Sequence, residues 1–294
     1  MKNLISRAFG QKWQPVWRHD ARRHIWLMKF SGTGAIVLEL RDIERKQASF
    51  ACLDEETGAV RWKDLSLEEP WWVGIDDIDG DMLFLHGYRK PDMPQHLGIT
   101  AVDLATGRTR WHEPQRTFQF VFGDRVYASQ QGFESLHHVA LDRATGALVE
   151  DLGSDATALH GLRMLLNAED RFAGYAYPTE FTDQHPDFER FRMIVAEAVP
   201  AATVRGPIDV LVRDPYLMIS WHAQTGSDAQ GRPTHDQHFV AFDTTTGGRV
   251  FADRINTGVP IPTIDSFFIK DDRVYYIASG RVLTAHSLTA ACAP

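Results

Sequence analysis

The chain has 294 residues, 44% hydrophobic and 24% charged, with a formal net charge of −8 and a pI near 5.9. That is the composition of a globular protein; the acidic balance, with no cluster of Lys and Arg, excludes a nucleic-acid backbone as partner, and no apolar run approaches the ~20 residues of a membrane span. Two cysteines, Cys52 and Cys292, are too few for a disulfide framework, and the basic start Met1–Arg7 leads into no apolar stretch of signal-peptide length, so a cytoplasmic chain with no membrane partner is expected.

In chain order, Gln14–Asp20 reads as a strand, with Trp17 at its centre. Blade-like repeats follow at about 22–65, 70–113, 117–152, 160–204, 207–253 and 263–289. The second shows the pattern most fully: a strand from Trp71 to Ile78, a turn at Asp79-Gly80, a strand over Met82–His86, a loop over Tyr88–Gln95, then Gly98–Val102 and Arg108–Trp111. Each run is short, apolar and bounded by Gly or Asp, as strands are. The fourth repeat has candidate strands at Leu162–Leu166 and Arg171–Tyr177, and the sixth has three strands only.

A turn recurs between the last two strands of four repeats: Asp54…Thr57-Gly58, Asp103…Thr106-Gly107, Asp142…Thr145-Gly146 and Asp243…Thr246-Gly247. The glycines are 49, 39 and 101 residues apart, the last gap fitting two repeats. An Asp carboxylate and a Thr hydroxyl can bond nearby amides, and Gly supplies a positive φ. Four residues beyond the first two glycines stand Trp62 and Trp111, placed to pack on the next repeat. Repeats of roughly 40–50 residues built from strands are the length of a propeller blade. The expectation is therefore all-β: one domain over 1–294, a six-bladed β-propeller of four-stranded antiparallel blades. The N-terminal strand, 13–20, completes the last blade, which removes an open sheet edge.

The pattern Leu53-Asp54…Thr57-Gly58…Trp62, with its second copy Val102-Asp103…Thr106-Gly107…Trp111, resembles the repeat of the quinoprotein-dehydrogenase-like propeller superfamily, and the size is similar to small uncharacterised bacterial propellers. Quinone-dependent members are similar to larger rings with an adjacent cysteine pair. This chain has no adjacent cysteines, so the resemblance implies the fold and no cofactor.

In such a fold the tight turns share one rim and the longer loops the other. The long ones here are Tyr88–Gln95, Pro178–Arg190, Ala223–His235 and Asn256–Pro262. A rigid scaffold presenting long loops is where binding is expected. The candidate binding residues are Trp71, Trp72, His86, Tyr88, Tyr177, Trp221, His222, His235 and His238. Of these, His222, His235 and His238 are the candidates for a metal, although none is assigned. Carboxylates decorate two segments, Glu180 to Glu189 and Asp76 to Asp79. No phosphate-binding Gly loop precedes a helix and no Gly-x-Ser-x-Gly elbow is present. The expected function is non-catalytic binding of a protein or small ligand through the long-loop rim; the alternative is a lyase or hydrolase using His and carboxylates at the channel mouth.

Overall fold

The computed structural model describes residues 13–90, 93–132, 135–168, 172–262 and 266–289. They fall into two units, residues 23–173 and the residues up to 22 together with those from 174 on. Strand β1 (Pro15–Asp20) belongs to the second.

The 23–173 unit holds three four-stranded antiparallel sheets in simple chain order. The first is β2 (His24–Phe30), β3 (Ala35–Asp42), β4 (Gln47–Asp54) and β5 (Val60–Leu65). The second is β6 (Val73–Asp79), β7 (Met82–Lys90), β8 (Met93–Asp103) and β9 (Thr109–Glu113). The third is β10 (Thr117–Phe122), β11 (Arg125–Gln131), β12 (Leu136–Asp142) and β13 (Leu148–Gly153). The middle strands are buried on both faces: Ala35, Ile36, Val37 and Leu38 are all fully enclosed, as are Met82 to Leu85. That is why they read as unbroken apolar runs. One core joins Val37, Phe50 and Cys52 to Val73, Leu83 and Leu85; another joins Phe84 and Trp111 to Val121, Val126 and Val139.

The recurring turn forms as its residues require. Asp54, Asp103 and Asp142 each accept, through Oδ1, the backbone N–H and the hydroxyl of the Thr three residues on, at 2.6–3.0 Å. The glycine N–H closes back on the Asp carbonyl at 2.8–2.9 Å in all four copies, with φ between 68° and 72°. Asp243 accepts two amide bonds, from Thr245 and Thr246. The Trp62 indole lies over Gly107 and donates to the Leu104 carbonyl at 2.7 Å; Trp111 lies over Gly146 and donates to Arg143 at 3.0 Å. Each tryptophan thus staples its own sheet to the turn of the next.

Segment 160–204 departs from the expected fourth blade. Leu162–Leu166 lies inside helix α1 (Thr157–Ala168), not in a strand. The reason is period: Leu159, Leu162 and Leu166 recur at three and four residues, and their shared face packs on Phe120, Tyr127 and Ala140 of the third sheet. Of the strand expected at Arg171–Tyr177, Arg171 lies outside the described residues, and only β14 (Tyr175–Ala176) is extended.

After β14 come β15 (Thr179–Glu180) and helix α2 (Phe188–Ala198). Then follow β16 (Val204–Arg213), β17 (Tyr216–Ser227), β18 (Pro233–Asp243) and β19 (Arg249–Val259), which with β15 make a five-stranded sheet. Phe191 and Val195 of α2, with Val199, pack on Val210, Leu217, Ile219 and Trp221 of that sheet. The last sheet is β20 (Phe268–Lys270), β21 (Arg273–Ala278) and β22 (Val282–Ser287), flanked by β14 and β1. The N-terminal strand lies where the sequence predicts: β1 runs antiparallel to β22, with Trp17 opposite Ala285. Trp13 anchors it, donating to the Ser287 carbonyl at 2.6 Å and stacking on Tyr216 at 4.8 Å.

The described residues therefore hold five antiparallel sheets, three of four strands and two of five, and two helices.

Candidate functional site

The segments expected as long loops are mostly extended hairpins. β7 runs to Lys90 and β8 starts at Met93; β17 runs to Ser227 and β18 starts at Pro233; β19 continues to Val259. Pro178–Arg190 holds β15 and the first turn of α2. The nine candidate residues therefore sit mainly on rigid strands. Trp71, Trp72, His86 and Tyr88 belong to the 23–173 unit; Tyr177, Trp221, His222, His235 and His238 belong to the other.

In the 23–173 unit, extension of the β7–β8 hairpin sets Tyr88 opposite His96. His86, two residues before Tyr88, shares its face. The β6–β7 register shifts between Ile75 and Asp77, and the β7–β8 register between Leu85 and Gly87. The first bulge falls at Asp76, and the second sets two β8 residues, Gly98 with φ 84° and Ile99, against His86, so both irregularities shape the directions of Asp76 and His86. The result is a compact cluster. His86 Nδ1 and His96 Nδ1 lie 2.9 and 3.0 Å from the same Asp76 oxygen, Oδ1, and the two imidazoles stack at 3.5 Å. Only the His96 contact aligns as a hydrogen bond. Tyr88 meets both imidazoles edge-on, and half-exposed Trp72 meets Tyr88. Burial alone would raise the Asp76 pKa, but the two histidines outweigh it and hold the carboxyl below its ordinary value. His86 is packed against Gly74, where an added Cβ would stand 2.9 Å from Nε2. Trp71 serves structure instead: Arg41, ion-paired with buried Glu39, stacks over its ring at 4.9 Å and donates to its carbonyl.

In the second unit, His222, His235 and His238 do not converge. His222 pairs across the ladder with Gln237, and Trp221 with His238. His235 and His238, an odd number of residues apart on one strand, face opposite sides. His235 Nδ1 contacts the Val259 carbonyl at 3.3 Å, and burial, then the other two histidines, holds the His222 pKa below its ordinary value. Among the described residues, the one group of three potential ligands with atoms all within 4.8 Å is Asp76, His86 and His96. Tyr177 is exposed and stacks on Tyr175 and Phe268.

Trp221 and His238 stack at 5.0 Å and form a wall of a cavity of about 450 Å³, which Val240, Phe242, Pro200, Arg249, Asp253 and Arg254 also line. Trp221 is 6% exposed, and its indole N–H has no hydrogen-bond partner. Burial keeps the His238 pKa below its ordinary value; Asp236 opposes this and Arg254 reinforces it. The imidazole that stacks on Trp221 is therefore neutral at pH 7. Asp253 is engaged by Arg18 at 3.2 Å and by the Tyr276 hydroxyl at 3.0 Å, and Arg254 by Asp236 at 3.1 Å. Asp76, His96, Arg249 and Arg254 were not among the candidate binding residues. The signal for His96 was available: a hairpin extended through Tyr88 brings residues 86 and 96 to one face.

A domain family described only as one of unknown function, DUF4905, matches residues 31–111. No curated protein matches the chain. Among solved structures it is similar to BamB from Moraxella catarrhalis, at 13% identity over 87% of this chain and 80% of that one, with a TM-score of 0.30. It is also similar to the Cps50 (Swd1) β-propeller domain of Myceliophteria thermophila, at 11% identity over 93% and 100%, with a TM-score of 0.35. The Dos1 propeller matches at 8% identity over 90% and 68%, with a TM-score of 0.30. Among the described residues, no helix is long and apolar enough to cross a membrane.

Proposed function

We propose that the chain is a non-catalytic β-propeller-type module that binds a small anion with a flat, apolar body in the Trp221–His238 cavity. The propeller reading rests on the five antiparallel sheets and the stapled turn. A sixth blade would have to come from 160–204, whose two helices instead cover faces of the sheets beside them in the chain. The binding reading rests above all on the cavity of about 450 Å³ walled by the stacked Trp221 and His238 and lined by Arg249 and Arg254. The volume suits a small molecule, the stacked Trp221 and His238 offer an aromatic surface, and the two arginines supply positive charge. A lyase or hydrolase is less well supported. Asp236, the carboxylate among these histidines, is already held by Gly258 N–H, Thr225 and Arg254.

The test is thermal denaturation with benzoate, 4-hydroxyphenylacetate and indole-3-acetate. At about ten times Kd, binding adds ~1.4 kcal/mol, or roughly 2–3 °C in Tm for a protein of this size. The shift should vanish in Arg249→Glu and persist in Lys63→Glu, an equal charge change at an exposed residue of the other unit. No shift with any of the three acids, or an undiminished shift in Arg249→Glu, contradicts the reading.

A further inference from the structure

We infer that Asp76, His86 and His96 form a binding site for a divalent first-row transition metal, separate from the Trp221–His238 cavity and resting on none of its observations. Two imidazoles and a carboxylate are a donor set for Zn²⁺ and its neighbours, leaving coordination positions open. The cluster carries the mark of a missing partner. Asp76 Oδ2, His86 Nδ1 and His86 Nε2 are buried without a hydrogen bond. A neutral imidazole has one N–H and one lone pair, so His86 holds a lone pair that accepts from nothing. A divalent cation would balance the carboxylate and take up the free lone pairs together.

An ion lies in the plane of each imidazole that binds it, so the two stacked rings must swing apart to share one, but the donor atoms start close together. Ligand atoms about 2.1 Å from a tetrahedral ion stand ~3.4 Å apart, and these three already lie within 4.8 Å of one another. Lys29 Nζ donates to the Asp76 main-chain carbonyl at 2.6 Å and holds the backbone there, and Gly74 leaves the space that the His86 ring fills. There is also a way in. The His96 side chain is 38% exposed and lines a cavity of about 170 Å³ with Arg89, Thr117, Gln119 and Ser129. An ion can reach the cluster from that side, and a water or an anion could fill its open position there.

The test is Zn²⁺ binding by metal-stripped, tag-free protein, followed by calorimetry and by metal analysis after gel filtration. The wild type should take close to one equivalent, and Co²⁺ in its place should give the visible absorption of a low-coordinate site. Loss of an outer-shell partner alone typically weakens a site 10–100-fold, so His96→Gln and His86→Gln should each weaken Zn²⁺ by at least about 100-fold. His96 is partly exposed and Gln keeps a donor amide, so His96→Gln should still unfold cooperatively without metal, which separates lost ligation from lost folding. Wild-type protein that binds no Zn²⁺ below 100 μM, or binding that survives in either variant at wild-type strength, overturns the inference.

Discussion

Replacing Gly146 by alanine should destabilise the 23–173 unit by about 2–5 kcal/mol. A left-handed backbone costs a residue with a Cβ roughly 1–2 kcal/mol, and forcing an extra carbon into a packed site costs about 1–3 kcal/mol more. Both apply, because φ is 72° and the new Cβ would stand 2.7 Å from the Trp111 ring. Gly107 faces Trp62 in the same way at 2.8 Å and should behave alike. Gly123 is the control: its φ is 63°, yet nothing lies within 4 Å of an added Cβ. Gly123→Ala should therefore show the backbone cost alone. Urea midpoints of the three variants measure the difference. Equal losses at 146 and 123 would mean that the tryptophan does not clamp the turn. In a double-mutant cycle, Trp111→Ala should remove the excess cost at 146 and leave the backbone share.

Replacing His286 by leucine should change how stability depends on pH. His286 is fully buried among Trp13, Phe251 and Tyr276, and neither ring nitrogen has a hydrogen-bond partner. Burial, with a smaller push from Arg18, drives its pKa down to about 3. For a base whose folded pKa is depressed, the unfolded chain binds the proton first. The stability that the neutral ring contributes is therefore complete above about pH 6.5 and is lost as pH falls from there toward 3. Each pH unit in that window removes ~1.4 kcal/mol, or about 2 kcal/mol by pH 5. His286→Leu should lose ~2 kcal/mol less than the wild type between pH 8 and pH 5. Parallel pH profiles for the two proteins would show that the ring is not enclosed as described.

The sheets were legible because their strands obey local rules. Ala35–Leu38 and Met82–Leu85 are apolar runs between turns, and the Asp…Thr-Gly turn carries its own bonding instructions within five residues. The pairing of β1 with β22 could also be foreseen, since the last repeat was short of a strand and Gln14–Asp20 resembled one. The helices were missed because a search for strands reads Leu162–Leu166 as a short apolar run. The helical signal emerges only when Leu159 is included and exposed Met164 and Leu165 are set on the other face. The metal cluster was missed for a different reason. Asp76 and His86 owe their directions to bulges, which depend on pairing with a neighbouring strand rather than on the residues themselves. The candidate trio His222, His235 and His238 looked close in sequence, but an odd spacing on a strand separates what a helix or tight turn would have gathered.

The binding cavity is tested most directly at the Trp221 indole N–H, one of eight tryptophan signals in a ¹H–¹⁵N spectrum, identified by its absence in Trp221→Phe. On titration with indole-3-acetate, that cross-peak should shift and saturate as the ligand packs against the ring, while the Trp62 and Trp111 peaks, in the other unit, stay in place. A Trp221 signal unmoved at millimolar ligand, or one that shifts no more than those two, would contradict binding at this cavity.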